Sequence, residues 1–154
     1  MHGNGGGGFY PFYALDGREH GKRCRRILVD KIQGPFSAYH AHLQYCRGEA
    51  EMEVAGSSNV AIYGIKNDID SVALWVRDSR NVLMTGYGGP GETPETGKLI
   101  VERSADVVLA NLIHDSRDDR ADARNPMARI VTADGRSWTT VPFDRPVVFK
   151  ATRK

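Results

Sequence analysis

Val54–Ile65 (VAGSSNVAIYGI), Val76–Tyr87 (VRDSRNVLMTGY) and Val101–Leu112 (VERSADVVLANL) align with one another without gaps. Each places a Ser three residues after an apolar residue, then one variable residue, an Asn or Asp, and a Val. The anchoring Ser recurs at positions 57, 79 and 104, so successive steps are 22 and 25 residues. Self-similarity with a period in this range marks a repeat architecture in which neighbouring copies stack and bury a continuous core.

The residues leading into each copy alternate with the period of a strand. Ala50, Met52 and Val54 point inward, with Glu49, Glu51 and Glu53 outward. Val72, Leu74 and Val76 repeat the inward set, leaving Ala73, Trp75 and Arg77 outside, and Leu99 and Val101 do so again with Lys98, Ile100 and Glu102 outside. Equivalent residues of successive coils stack about 4.8 Å apart, so Arg77 is expected against Glu102, and Glu51, Ala73 and Lys98 in one column. Asn59, Asn81 and Asp106 fall where the chain must turn sharply. Asn and Asp tolerate the left-handed conformation and bond neighbouring backbone, and stacked amides bond along a column, so this series is read as a structural corner. Gly64, Gly86 and Asn111 end the following strand, again where a bend suits them.

Upstream, Ile27–Ile32 (ILVDKI) aligns with Val60–Ile65 as a fourth copy, which makes Gln33–Gly48 extra residues in a long first coil. Alternation from Phe36 to Tyr45 places Tyr39, Ala41, Leu43 and Tyr45 on the core face. His40 and His42 then point out together, roughly 7 Å apart. Residues 1–26 read as a flexible Gly-rich leader followed by an irregular segment. The loops Lys66–Ser71, Gly88–Gly97 and His114–Pro126 all follow the same strand and are expected along one edge of the stack. Arg129–Ala133, the Asp134-Gly135 turn and Arg136–Val141 read as a hairpin. With Pro142–Lys154 it caps the last coil, so residues 27–113 are coils and 114–154 loop and cap, all within one domain.

A chain of 154 residues, 40% hydrophobic, buries one modest core. Its 21 Lys and Arg nearly balance 19 Asp and Glu, which gives no electrostatic case for nucleic acid or a membrane surface as partner. Two cysteines, Cys24 and Cys46, do not make a disulfide framework, and the disulfide and free-thiol readings both stay open.

Coils of this length, an Asn-bearing corner and aliphatic inward columns resemble the right-handed parallel β-helix of the pectin-lyase-like superfamily. Ser57–Ile65 and Asp78–Gly89 are similar to coils of its bacterial polysaccharide-acting members. The resemblance covers about Ile27–Ile113. It implies an all-β solenoid of about four coils with a C-terminal hairpin cap, and a polysaccharide or oligosaccharide lying in a groove and cut by a lyase or a hydrolase. It also implies export to an extracellular or periplasmic space. Members are usually longer, so a C-terminal fragment of a larger protein is expected. No catalytic signature of the family is carried over, and no cofactor is implied.

Lyase chemistry needs a base for the proton beside a uronate carboxyl and a cation for the charge that forms. His40, His42 and Arg47 are the candidates, with Tyr39 and Tyr45 beside them. Hydrolysis needs two carboxyls, about 5 to 5.5 Å apart for retention or 6.5 to 9.5 Å for inversion. Glu49 and Glu51 on one strand face fall at roughly 7 Å. His40 and His42 with a nearby Glu also have metal-ligand types, but a lone His-x-His pair does not make a site and none is assigned. Sugars stack on flat apolar faces, which adds Trp75, Arg77 and Tyr87 as substrate contacts. A non-catalytic scaffold or carbohydrate-binding module is the competing reading.

Overall fold

The computed structural model describes residues 2–3, 6–9, 12–14, 25–43, 49–89, 93–113, 127–140 and 147–151, with backbone alone at 9, 12–14, 140 and 147–151. Cys24, Tyr45, Cys46, Arg47 and the His114–Pro126 loop lie outside the described residues.

The molecule is a parallel β-solenoid of about four turns, and no helix occurs among the described residues. Each turn contributes a short strand and a long one. The short strands are β3 (Ile27–Asp30), β5 (Met52–Ala55), β7 (Leu74–Arg77) and β9 (Leu99–Glu102), and the long ones are β4 (Phe36–Leu43), β6 (Ser58–Asn67), β8 (Arg80–Gly88) and β10 (Ala105–Leu112). Short strands stack in parallel as one sheet and long strands as the other. Alternation packs Val29, Val54, Val76 and Val101 into one inward column and Val60, Val82 and Val107 into another, all at most 2% exposed. Full burial of such a side chain contributes about 1.5–3 kcal/mol.

The first turn differs from the sequence reading. Ile27 pairs with Met52 and Phe36 with Val60, so Ile27–Ile32 does not align with Val60–Ile65. Gln33–Gly48 is therefore no insertion in its first part, because Phe36–Leu43 is the ordinary long strand of turn one. The misreading arose because five residues, 31–35, join β3 to β4 where two join each later pair, and the Ser-x-Asn element is absent there. Gln33 takes its place. Its backbone carbonyl accepts from Asn59 Nδ2 at 3.0 Å, and its side-chain oxygen accepts from Ser58 Oγ at 3.0 Å.

Alternation along β4 is also broken. His40 has φ 50° and sits beside Gly64 (φ 84°), Gly86 (φ 82°) and Asn111 (φ 53°) in one column of left-handed residues. Each long strand bends there and continues, where the sequence reading ended it. The bend shifts the phase, so Phe36, Ala38, Ala41 and Leu43 are buried and Tyr39 faces out. Tyr39 was expected in the core, but instead its ring stacks on that of Tyr63, centroids 5.1 Å apart.

The corner column is as expected. Asn59, Asn81 and Asp106 all have φ between 52° and 59°, and Asn81 Nδ2 donates to Asn59 Oδ1 at 2.6 Å. A second ladder runs through the serines. The backbone N–H of Ser57 donates to Ser79 Oγ at 3.0 Å, and that of Ser79 to Ser104 Oγ at 3.1 Å. Each hydroxyl in turn donates to the carbonyl two residues back, at 2.7 to 2.8 Å. Ser79→Ala leaves the buried Ser57 N–H without its acceptor, which costs about 1–3 kcal/mol. Chemical denaturation is expected to read that loss as a lower midpoint at unchanged slope.

The outward face of the short-strand sheet is less exposed than its alternation suggested. Glu51, Glu53, Ala73 and Lys98 are each 0% exposed, which corrects their assignment to solvent. Glu53 is held between Arg25 and Arg77, whose side chains lie across it. Glu51, Ala73 and Lys98 do form one column, and Asn67 at the end of β6 and Ser71 of the loop after it close over it. Arg77 and Glu102 are register partners as expected. However, Arg77 pairs with Glu53, while Glu102 accepts from Trp75 Nε1 at 3.1 Å and pairs with Arg103.

Both ends of the stack carry further strands. β1 (Gly7–Phe9) and β2 (Phe12–Ala14) pair in parallel with β4, so the leader is ordered into a sheet at these residues. At the other end β11 (Ala128–Val131) and β12 (Ser137–Thr140) form the expected hairpin, and β13 (Val147–Ala151) lies antiparallel on β10. Asp134 at the hairpin turn is hydrogen-bonded by Arg136 and Thr132, which hold its carboxyl down at about 2. That lowered value stabilises the hairpin above the ordinary carboxylate pKa of about 3.9. The contribution is lost as pH falls toward 2. Protection factors of the Thr132 and Arg136 amides are therefore expected to fall across that window, and unchanged protection would refute the assignment.

Candidate functional site

The bend in the long strands creates the site. Past it, the outward column reads His42, Lys66 and Gly88 in register. The bend column itself reads His40, Gly64, Gly86 and Asn111. Glycine at three of these positions removes side chains from the surface, and the result is an open groove of about 740 Å³ crossing four turns. Four stacked strands span three spacings of about 4.8 Å, so the groove runs roughly 14 Å along the stacking axis.

Gly64 and Gly86 suit the bend because their positive φ is strained for most other residues, while a Cβ at Gly64 would meet His40 Nδ1 only in ordinary contact at 3.4 Å. Gly88 has open space around it.

The polar groups gather at one end. His40 is exposed and His42 partly so. Asp68 Oδ2 lies 2.7 Å from Lys66 Nζ and 3.7 Å from His42 Nε2, so one carboxylate faces both cationic candidates. The second of these distances is that of an ion pair and exceeds a hydrogen bond. At the far end Asn111 donates through Nδ2 to Thr85 Oγ1 at 3.0 Å, and Ile113 is half-exposed. The Tyr39–Tyr63 stack lies in the column immediately before the bend. The arrangement offers hydrogen-bond donors and a cation along a groove floored by backbone.

Of the residues singled out from sequence, His40, His42 and Tyr87 line this groove and Tyr39 flanks it. Tyr87 is 2% exposed, so it supports the floor from within the core and does not offer a free ring to a sugar. Glu51, Trp75 and Arg77 belong to the other sheet with Glu49 beside them, so the structure divides the expected cluster in two. Glu49 and Glu51 do not form an open pair: Glu49 is exposed and ion-paired with Arg25, while Glu51 is fully buried and accepts from Ser71. Trp75 is outward as expected, but the Arg77 guanidinium stands 5.5 Å over its ring. Arg47 and Tyr45 lie outside the described residues. No three His, Cys, Asp or Glu among the described residues gather as metal ligands.

Sequence reasoning missed Lys66, Asp68 and Asn111. Their signal was the register itself: with Phe36 set on Val60, His42 falls on Lys66 and His40 on the glycine column.

Comparison with protein-family models, with known proteins and with solved structures finds no match to this chain.

Proposed function

We propose that the chain is part of a carbohydrate-active solenoid of the pectin-lyase-like kind, and that a polysaccharide lies along the groove from His40 to Asn111. The observation that carries this reading is a groove running along the stacking axis, floored by glycine backbone and bordered by His, Lys and Asn. An extended glycan needs such a track, with donors for its hydroxyl and carboxylate oxygens at intervals. Among the described residues, the ion-paired Glu49 and the buried Glu51 do not offer hydrolysis an open pair of carboxyls. Elimination from a uronate fits better. His42 takes the proton beside the carboxyl, Lys66 neutralises the carboxylate, and the glycosidic C–O bond breaks as the new C=C bond forms, the departing oxygen taking a proton from water.

One observation favours binding without cleavage: Asp68 stands against both His42 and Lys66. Incubation of the protein with oligouronides, followed by the ultraviolet absorbance of unsaturated products, separates the two readings. Elimination is expected in the wild type, with His42→Ala losing a hundredfold or more in rate at an unchanged thermal transition. Binding with no turnover supports the non-catalytic module. If neither oligouronides nor neutral β-glucans bind, the carbohydrate reading fails.

A further inference from the structure

A buried polar cluster away from the groove has the composition of a self-reacting amide site. Lys98 is 0% exposed, and its Nζ donates to Asn67 Oδ1 at 3.0 Å and to the carbonyl of Ile69. Asn67 is also 0% exposed, and its Nδ2 donates to Ser71 Oγ at 3.1 Å. Ser71 Oγ in turn donates to Glu51 Oε1 at 3.4 Å, and Glu51 is 0% exposed. Amine, carboxamide, hydroxyl and carboxyl thus form one buried chain, held by the loop that closes over the Glu51–Ala73–Lys98 column.

We propose that Lys98 and Asn67 join in an intramolecular isopeptide bond. Nζ is held 3.0 Å from Oδ1, the atom bonded to the carboxamide carbon that it would attack. A fixed pair of this kind reacts with effective molarities of about 10⁵–10⁸ M when it is aligned for attack. Burial works in the same direction, since water is kept from the acyl carbon and the low dielectric disfavours a charged ammonium over the nucleophilic amine. The Lys98 hydrogen bond to Oδ1 polarises the carbonyl. In the step, the Lys98 Nζ–Asn67 Cγ bond forms and the Cγ–Nδ2 bond breaks. Nδ2 leaves as ammonia, keeping its two hydrogens and gaining a third. The proton shed by Nζ becomes that third hydrogen, so the step balances, while Ser71, which accepts from Nδ2 and donates to Glu51, holds the carboxamide in place. No oxidant or cofactor is consumed. The product ties the end of β6 to the start of β9, closing a loop of 31 residues. Such a link constrains the unfolded chain. This inference is independent of the carbohydrate reading.

The test is mass spectrometry of the full chain. The intact protein is expected to be lighter than its sequence by one ammonia. Trypsin is expected to yield residues 67–77 linked to residues 81–103, uncut after Lys98 because its amine is acylated. Lys98→Arg should restore the sequence mass and the separate peptides. An intact mass equal to that of the sequence overturns the proposal. An ammonia loss that persists in Lys98→Arg, with unlinked peptides, is cyclisation of Asn67 alone and overturns it as well.

Discussion

Gly89→Ala is expected to lower the unfolding free energy by about 3 kcal/mol, at the upper end of what overpacking costs, whereas Gly88→Ala one residue earlier changes it by less than about 0.5 kcal/mol. The contrast comes from what surrounds each position. A Cβ on Gly89 would stand 1.8 Å from the carbonyl oxygen of Asn67 and 2.6 Å from its carbon. Those are backbone atoms at the end of β6 and cannot swing aside as a side chain would. A Cβ on Gly88 meets nothing within 4 Å, although Gly88 also lines the groove. Urea titrations of the two variants make the comparison directly. Equal midpoints would show that the contact between turns two and three is looser than described.

Arg77→Ala is expected to cost about 3 kcal/mol, because it withdraws one of the two guanidiniums that flank the fully buried Glu53. It also uncovers the Trp75 ring. Arg103→Ala, by contrast, breaks a bidentate pair with Asp78 at 2.7 and 2.9 Å, yet both partners are well exposed, and the loss is much smaller than for Arg77→Ala. Thermal or denaturant unfolding ranks the two. Similar losses would mean that Glu53 keeps enough of Arg25, or of water, to do without Arg77. The Asp78 pair has a further signature: the hydrogen bond from Arg103 lowers the Asp78 pKa, so its small contribution disappears only in acid below the ordinary carboxylate range.

The parts of the fold legible in the sequence were those with a strict local pattern. Three copies of Ser-x-Asn/Asp-Val placed β5 to β10, their parallel stacking and the left-handed corner, because each requirement is met by one residue type at one position. The first turn was illegible for the converse reason. There Gln33 meets Asn59 with its backbone carbonyl and Ser58 with its amide side chain, and no residue pattern announces that arrangement. The register error then propagated to the candidate site. Strict alternation carried past His40 put Tyr39 inside, whereas a left-handed residue in mid-strand reverses the phase. Burial of Glu51, Glu53 and Lys98 was hidden too, since alternation tells which side a residue faces and not what lies across it. His40 and His42 stood out nonetheless, being the polar residues of a strand otherwise made of Phe, Ala, Tyr and Leu with one Ser, and both line the groove.

The serine ladder has one more consequence. Successive turns differ in length, yet every Ser meets the next at the same atoms, 22 residues on in one case and 25 in the other. A slip of one residue would turn the hydroxyl to the opposite face and leave the backbone donor of the preceding turn unanswered. The ladder thus works as a tally that is reset to zero once per turn. Loops after the long strands can lengthen or shorten without the discrepancy accumulating, and the error of one turn is not handed to the next.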